Sequence, residues 1–392
     1  MKTRNNLELT VKIEKIVPGG DGLAFAEGLT VFVALAAAGD VLRVRVREKK
    51  GKIAFAEIVE IIKPSPDRIA PGCQYFGRCG GCDFQQLNYA AQLAAKVGII
   101  RDCLTRIGKI NYEREIEIIA SPQPYEYRSR AQWHADTRRR KLGYFKRYSH
   151  EIIDIEHCPI LAPALEKTLE NFRLNLNWNE FWSEKIEIEA ASADGEISIY
   201  SSELIEPTRE ISFAARGEKY FYDADSFFQG NQFLIEHLIE LALKDAEGAN
   251  ALDLFCGVGL FSLPLARKFT KVFAVDGGAK AIEFARKNAD RARLENIEFF
   301  AAETEEFLRE NKFENLDFVL LDPPRAGAQR AAMETLLELK PKQISYFSCD
   351  PATLARDLKI LTEDAYQIES ITALDLFPQT HHVEIIARLF MR

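Results

Sequence analysis

Apolar and polar residues alternate with a period of two through most of residues 1–64. Such alternation places successive side chains on opposite faces and is typical of strands half buried in a sheet. Turns rich in glycine, such as PGGDG at 18–22, separate five such stretches: LELTVKIEKIV, GLAFAE, LTVFVAL, VLRVRVR and KIAFAEIVEII. Five short antiparallel strands predict a small β-barrel of the OB type, and KPSPD at 63–67 then predicts a linker.

Strand and helix patterns alternate from about residue 225 to residue 392, which is typical of a parallel sheet covered on both faces. The segments ANALDLFCGVG, KVFAVD, LDFVLLDPPR and KQISYFSCDP read as strands with helical segments between them. The stretches YQIESITALDLFP and HHVEIIARLF predict a closing antiparallel pair. Ligands of such sheets bind beyond the carboxyl ends of the strands. We therefore predict three domains, 1–64, 65–224 and 225–392, and look for chemistry at the strand ends of the third.

Two parts of the chain are basic, although the protein as a whole has a negative net charge. One is the row Arg43, Arg45 and Arg47 on one face of VLRVRVR, and the other is segment 128–147, with eight Lys or Arg against one acid. Either could contact phosphates, and Trp133, Tyr144 and Phe145 could stack on bases. The alternatives are a solvated strand face, which the row by itself favours, and a solvated β-ribbon, which is equally compatible with the segment.

Composition and charge restrict the class of protein. The chain has 392 residues, 47% of them hydrophobic, and no apolar run long enough to span a membrane. No signal peptide is evident at the N-terminus, and seven unevenly spaced cysteines argue against a secreted disulfide framework. We expect a cytoplasmic monomer. With a net charge of −8, any nucleic acid must be bound by local patches.

A glycine turn follows the first strand of the predicted sheet, in DLFCGVG at 253–259. With Asp276 at the end of the next strand, this turn favours an S-adenosylmethionine (SAM) site, because the third glycine of a dinucleotide fingerprint is missing. A second motif, LDPPRAG, places Asp322 on a rigid loop. Methyltransferases that act on base amino groups have an aromatic residue where this loop has Arg325, which argues against that activity.

A cysteine stands at the end of a predicted strand, in FSCDPATLARDL at 347–358. Buried cysteine is more often a small core residue, but Asp350 and Pro351 end the strand at once, which favours a nucleophile at Cys349. A glutamate in FPQTHHVE, Glu384, begins the last strand. Thiol, base and polar anchor are the groups needed to methylate carbon 5 of uracil, since that carbon becomes nucleophilic only after a thiolate adds to carbon 6.

These motifs resemble the RNA uracil-C5 methyltransferases, specifically the 23S rRNA branch, over essentially the whole chain. The resemblance implies a TRAM-type RNA-binding barrel, an α/β Rossmann-like class I SAM methyltransferase domain, and a central α+β domain with an iron–sulfur cluster. It implies Cys349 as nucleophile, Glu384 as base and Asp322 as a further catalytic acid. The SAM contacts implied, with the glycine turn included, are Gln229 of DSFFQGN, Phe255, Gly257, Asp276, Glu303 and Asp322. Two positions differ from the family pattern, Asp276 in place of Glu and Leu260 in place of a polar residue.

The sequence CQYFGRCGGC places Cys73, Cys79 and Cys82 on one glycine-rich loop. Zinc bound by these thiols and His157 is one interpretation. Three thiols from one loop with a distant fourth, Cys158, better suit a [4Fe–4S] cluster, an arrangement that the resembling family shares.

Several alternatives stay open at this point: the same reaction on a tRNA uridine, a base-amino methyltransferase, and an iron–sulfur RNA-binding protein without activity. The barrel and the cluster favour 23S rRNA as the partner. Asp350 would oppose thiolate formation at Cys349, so we expect it to face the following helix instead. The group that activates the thiol is not identified by sequence.

Overall fold

The computed structural model describes residues 7–203, 208–313 and 315–392, so residues 1–6 of the predicted barrel lie outside it. The barrel sheet runs in the order β1-β5-β6-β4-β3-β2. Its strands are β1 (Glu8–Lys12), β2 (Lys15–Ile16), β3 (Gly22–Ala26), β4 (Leu29–Val33), β5 (Val41–Lys50) and β6 (Ile53–Lys63).

The prediction of five antiparallel strands was wrong in two respects. The first predicted strand is divided, because β1 pairs with β5 whereas β2 pairs with β3. At the division, Ile13 N–H donates to Asp40 O and Glu14 N–H donates to Leu23 O, so the chain changes partners there. In addition, β4 and β6 are parallel. The alternation itself is confirmed, since the core of the barrel includes the apolar positions of β5, Leu42, Val44 and Val46.

A central region follows, with an antiparallel sheet in the order β10-β9-β8-β11-β12 and a separate hairpin, β13-β14. Its elements are α1 (Tyr89–Cys103), β7 (Glu117–Ile119), β8 (Arg130–Asp136), β9 (Lys141–Phe145), β10 (Ile152–Asp154), α2 (Pro163–Asn175), β11 (Lys185–Ala193), β12 (Glu196–Tyr200), β13 (Ile211–Ala215) and β14 (Glu218–Tyr222). The short strand β7 leaves this region and extends the C-terminal sheet.

The C-terminal sheet has eight strands in the order β17-β16-β15-β18-β19-β21-β20-β7. Its remaining strands are β15 (Gly248–Leu254), β16 (Phe269–Asp276), β17 (Ile297–Ala301), β18 (Phe318–Leu321), β19 (Gln343–Ser348), β20 (Tyr366–Leu374) and β21 (Glu384–Met391). The helices are α3 (Ile235–Ala242), α4 (Ser262–Ala266), α5 (Ala279–Ala292), α6 (Thr304–Glu310), α7 (Arg330–Leu339) and α8 (Pro351–Asp364).

Strands β15 to β19 are parallel, and β21 inserts antiparallel between β19 and β20, which confirms the predicted closing pair. Every residue of β18 and β19 is buried, as expected where helices cover both faces of a sheet. The carboxyl ends of the parallel strands and the start of β21 therefore meet at one edge. No helix in the described part of the chain is long and apolar enough to cross a membrane.

Candidate functional site

The glycine turn after β15 is held by a carboxylate from the neighbouring strand. Asp276 accepts a hydrogen bond from Gly257 N–H at 2.9 Å and one from Gly278 N–H at 2.7 Å. Phe255, Gly257 and Gly259 have φ of 65°, 54° and 91°, so the turn is left-handed and its backbone is open to a ligand. Leu260, the departure from the family pattern, is buried and packs into the core.

Glu303 precedes α6 and lies against the turn that follows β16. A Cβ at Gly277 would be only 2.8 Å from Glu303 Oε1, so this carboxylate and Asp276 are neighbours. A pair of acids here can accept hydrogen bonds from ribose hydroxyls. Gln229 is buried on the segment that enters α3, and its carbonyl accepts a hydrogen bond from Ser129 Oγ at 3.5 Å. Within the described residues, its side chain makes no hydrogen bond to the glycine turn.

Three carboxyl groups lie close together at the ends of β15, β16 and β18. Asp253 is fully buried, and burial together with the charges of Asp322 and Asp276 raises its pKa to about 7. Ser262 Oγ donates to Asp253 Oδ2 at 2.5 Å, whereas Oδ1 has no hydrogen-bond partner in the part of the chain described. Burial and Asp276 also raise the pKa of Asp322 to about 7. The acids favour a cationic ligand, such as a sulfonium, at this edge.

Cys349 and Glu384 lie opposite each other at the junction of β19 and β21. The antiparallel register pairs Ser348 with Ile385, so one further step brings Cys349 beside Glu384. Burial and the nearby Glu384 raise the pKa of the Cys349 thiol to about 11. Burial and Asp322 hold the pKa of Glu384 well above its ordinary value. In the free protein the thiol is therefore neutral, and the two carboxyls share at least one proton near neutral pH.

Arg325 is the site residue that sequence analysis missed. The positive charge of its guanidinium lowers the pKa of the Cys349 thiol and partly opposes the effect of burial. The available signal was its place in LDPPRAG, directly after β18, because β18 is the neighbour of β19. The sequence pattern had singled out Arg325 only because it stands where methyltransferases that act on base amino groups have an aromatic residue.

Asp350 caps the helix that follows Cys349, as expected. Its Oδ1 accepts hydrogen bonds from Ala352 N–H at 2.8 Å and Thr353 N–H at 2.9 Å. These bonds satisfy backbone donors at the start of α8 and direct the carboxylate away from the thiol.

The four predicted cluster cysteines line a single cavity of about 550 Å³, with Arg128 among them. They affect one another's charge: the pKa of Cys158 is raised to about 12, first by burial and then by Cys79 and Cys73, and that of Cys82 is raised by burial, Cys158 and Cys79. His157 is mostly exposed and pairs with Glu166 at 2.6 Å. Within the described residues, no group of three or more His, Cys, Asp or Glu side chains is close enough to hold a metal ion.

The arginines of the two basic features differ in the side chains that they contact. Arg43 forms an ion pair with Glu60, and Arg45 forms ion pairs with acids on β1 and β6. Arg47 instead lies 4.7 Å from the ring centre of Tyr148, and Arg147 lies 5.2 Å from the same ring. Tyr148 is 66% exposed and Arg47 is exposed, whereas Arg147 is half-buried. Burial raises the pKa of Asp21, and the charges of Arg147 and Arg47 partly oppose this effect.

The expected stacking role of Trp133 was wrong. The side chain is fully buried against α2, and its Nε1–H donates to Tyr144 Oη at 3.2 Å. Alternation along β8 places Trp133 on the core face of the central sheet, where no base can reach it.

A parallel sheet with an inserted antiparallel strand, a glycine turn and an acidic strand edge together define a SAM-dependent methyltransferase of class I. The comparisons narrow this to one family. Residues 164–391 match the family model described as tRNA (Uracil-5-)-methyltransferase. The chain is 31% identical to the 23S rRNA (uracil(1939)-C(5))-methyltransferase RlmD of Pectobacterium atrosepticum, over 97% of this chain and 93% of that protein. It is also 31% identical to the protein of the same name from Aliivibrio fischeri, over 99% and 97%.

Among solved structures, the Pyrococcus abyssi tRNA (uracil-54, C5)-methyltransferase in complex with S-adenosyl-L-homocysteine matches with a TM-score of 0.77 and 27% identity. The alignment covers 97% of this chain and 100% of that one. The chain therefore belongs to the RNA uracil-5-methyltransferase family and is a SAM-dependent enzyme.

Proposed function

We propose that this protein methylates carbon 5 of a uridine in 23S rRNA through a covalent bond between Cys349 and carbon 6. The observation that carries the proposal is the register of β19 and β21, which sets Cys349 against Glu384 beside the acidic strand edge. The relatives named for 23S rRNA align over almost the whole chain and favour that substrate. The structural likeness to an enzyme named for tRNA uridine 54 makes a tRNA uridine the second candidate.

The reaction follows from the chemistry of the ring. Bound SAM supplies an electrophilic methyl group on a positively charged sulfur. The Cys349 thiolate, stabilised by Arg325, adds to carbon 6 and turns the ring into an enolate, whose carbon 5 then takes the methyl group. Glu384 as carboxylate removes the remaining proton from carbon 5. The electron pair of that C–H bond restores the ring double bond and expels the thiolate.

The charge states of the site change in the order that this reaction needs. In the free protein, burial disfavours the charged forms of Cys349, Glu384 and Asp322 alike. A sulfonium cation at the acidic edge favours ionisation of Asp322 and Glu384. The base would therefore become a carboxylate mainly when the methyl donor is present.

The test is to map 5-methyluridine in 23S rRNA and tRNA from cells with and without this protein, and then to incubate variants with substrate RNA and methyl-labelled SAM. Cys349→Ala should form no adduct and no product. Glu384→Gln should accumulate a methylated, RNA-linked protein that migrates slowly on a denaturing gel. Cys103→Ala, which changes a buried thiol in the core, is the matched control. Normal turnover by Cys349→Ala would rule out the thiol mechanism.

We also propose that Cys73, Cys79, Cys82 and Cys158 hold a [4Fe–4S] cluster. Support comes from the shared cavity and from Arg128, whose charge can offset the negative charge of a thiolate-bound cluster. A single ion needs closely spaced ligands, whereas in a cluster each thiolate binds a different iron, which suits thiols spread around a cavity. Nothing in methyl transfer requires an electron, so the cluster's role would be structural.

Protein purified without oxygen should contain about four irons and matching sulfide per chain. Cys158→Ala should lose this iron, whereas Cys103→Ala should retain it. Stoichiometric zinc without sulfide would contradict the cluster.

For the RNA, we propose that the barrel, assigned to residues 1–64 as a TRAM domain, and the central region share one contact surface. It consists of Arg47, Arg147 and Tyr148. These two guanidiniums lie together at an exposed ring, where phosphate contact and base stacking can be combined. The ion-paired Arg43 and Arg45 lie outside this surface, since their charges are already balanced.

A further inference from the structure

Among the described residues, Arg325 is the cation whose charge lowers the pKa of Cys349, yet none of their carboxylates lies within ion-pair distance of it. Its long side chain is exposed, and the loop that carries it contains Gly327 with φ 78°. An exposed arginine on such a loop has many conformations, and holding one of them costs side-chain entropy. Some other contact must therefore keep the guanidinium at the thiol.

That contact is the ring of His382. Arg325 Nη2 lies 3.1 Å from His382 Nδ1 and 2.9 Å from Nε2. A donor in the plane of the imidazole can approach only one of these nitrogens at such a distance, because their lone pairs diverge and the ring carbon lies between them. The guanidinium nitrogen is therefore above the ring face, the arrangement in which arginine stacks on aromatic rings.

His382 is suited to receive a cation because it is neutral. Burial first, and then the positive charges of His381 and Arg325, lower its pKa to about 3. The ring is also held in place: His381 lies 4.0 Å away between ring centres, and Phe377 meets it edge-on at 6.2 Å. The backbone N–H of His382 donates to Thr380 Oγ1 at 3.2 Å.

The histidine segment is in turn tied to the loop of the cysteine cavity. Asp83 Oδ1 accepts a hydrogen bond from His381 N–H at 2.8 Å, and its Oδ2 lies 2.5 Å from His381 Nδ1. The backbone N–H groups of Asp83 and Phe84 both donate to Gln379 O, at 3.1 and 3.0 Å. Because the segment is fixed on this side, the ring of His382 gives Arg325 a rigid surface.

We propose that His382 is a positioning residue, whose ring face holds the Arg325 guanidinium against Cys349 so that the thiolate can form. The inference rests on the proposed role of Cys349 as nucleophile. The charged groups that face the thiol are Glu384 on β21, and Asp322 and Arg325 on the loop after β18. Both acids oppose the thiolate, so the position of the Arg325 cation affects how readily the thiol ionises.

The test measures the thiol directly, without RNA or SAM. Iodoacetamide alkylation of the Cys349 peptide is followed by mass spectrometry from about pH 7 to about pH 10, because only the thiolate reacts. His382→Gln removes the ring face, and we expect alkylation about tenfold slower at a given pH, equivalent to a thiol pKa raised by about one unit. His382→Phe keeps a flat ring and should react close to the wild-type rate. His237→Ala, an exposed histidine on α3, is the control.

A double-mutant cycle shows whether His382 acts through Arg325. In an Arg325→Ala background, His382→Gln should slow alkylation no further. Additive effects of the two substitutions, or an unchanged rate in His382→Gln, would overturn the inference. The peptides of the buried Cys103 and Cys256 in the same digest report the integrity of the fold. If they become reactive in His382→Gln, the comparison passes to His382→Ala, for which the same slowing is expected.

This experiment separates the inference from the proposed function. If the alkylation pattern holds and no uridine is methylated, the positioning role stands and the assigned reaction fails. If 5-methyluridine is formed and the alkylation rates of all variants are equal, the reaction stands and the positioning role fails.

Discussion

SAM binding should depend on pH because of Asp322. This carboxyl has a pKa raised from 3.8 to about 7 by burial and by Asp276, so it is mostly protonated in slightly acidic solution. The sulfonium cation of SAM favours the ionised carboxylate, so binding must displace the proton. SAM affinity should therefore rise with pH until Asp322 is ionised in the free protein, and should level off above about pH 8.

The magnitude comes from the size of the shift. Because the pKa of Asp322 is raised by about three units, ionising this carboxyl in the free protein costs ~4 kcal/mol more than ionising an ordinary aspartate. At about pH 6 roughly 90% of the molecules carry the proton, so binding that lowers the pKa well below 6 should release about 0.9 proton per SAM. Below about pH 7 the affinity should therefore weaken by up to about tenfold for each unit of pH.

Isothermal titration calorimetry of SAM in buffers of different ionisation enthalpy measures both the affinity and the protons released. Asp322→Asn should bind SAM more weakly, and its affinity should vary less steeply with pH across this range. Glu384→Gln should keep the dependence but shift it to lower pH, because a neighbouring acid is removed. An Asp322→Asn variant with the wild-type slope would refute the reasoning.

Two further predictions follow from paired and buried charges. Replacing Arg47 and Arg147 with serine should weaken RNA binding and reduce the slope of log affinity against log salt concentration by up to about two. The same change at the ion-paired Arg43 and Arg45 should alter this slope little. Equal effects of the two double substitutions, in binding titrations at several salt concentrations, would contradict this prediction. Asp253 has a folded-state pKa of about 7 against an ordinary value of 3.8, so its contribution to stability is complete below about pH 4 and is lost as pH rises through about 7. Asp253→Asn should remove up to about 2.6 kcal/mol of this dependence from the difference between the free energies of unfolding measured by urea at about pH 5 and pH 8, and parallel pH profiles would argue against the assignment.

Most of the chemistry could be located from the sequence because it lies at strand ends. Strand ends are visible locally, where an apolar run meets Asp-Pro or a glycine turn, and the order of strands in this class brings those ends to one edge. Cys349, Glu384, Asp276 and Asp322 were all identified in this way, and the structure brings them together. Their roles as nucleophile, base and SAM ligands remain predictions that the experiments above test.

Arg325 was missed for a physical reason. Its relation to Cys349 depends on the pairing of β18 with β19, and its orientation depends on the face of His382, 57 residues away in sequence. No local pattern reports which side chain an exposed arginine will stack on.

The sequence by itself determined which residues alternate into and out of a sheet, where the strands of the C-terminal sheet end, and which residues at those ends are candidates for a role in methyl transfer. These properties depend on neighbours along the chain. Only the tertiary structure decided that Trp133 faces a core rather than RNA and that the first predicted strand divides. It also decided that Arg43 forms an ion pair with Glu60, whereas Arg47 lies over the ring of Tyr148. The alternation is the same whether a basic strand faces phosphates or acids of its own protein, and that choice is made by strands that pair from distant parts of the chain.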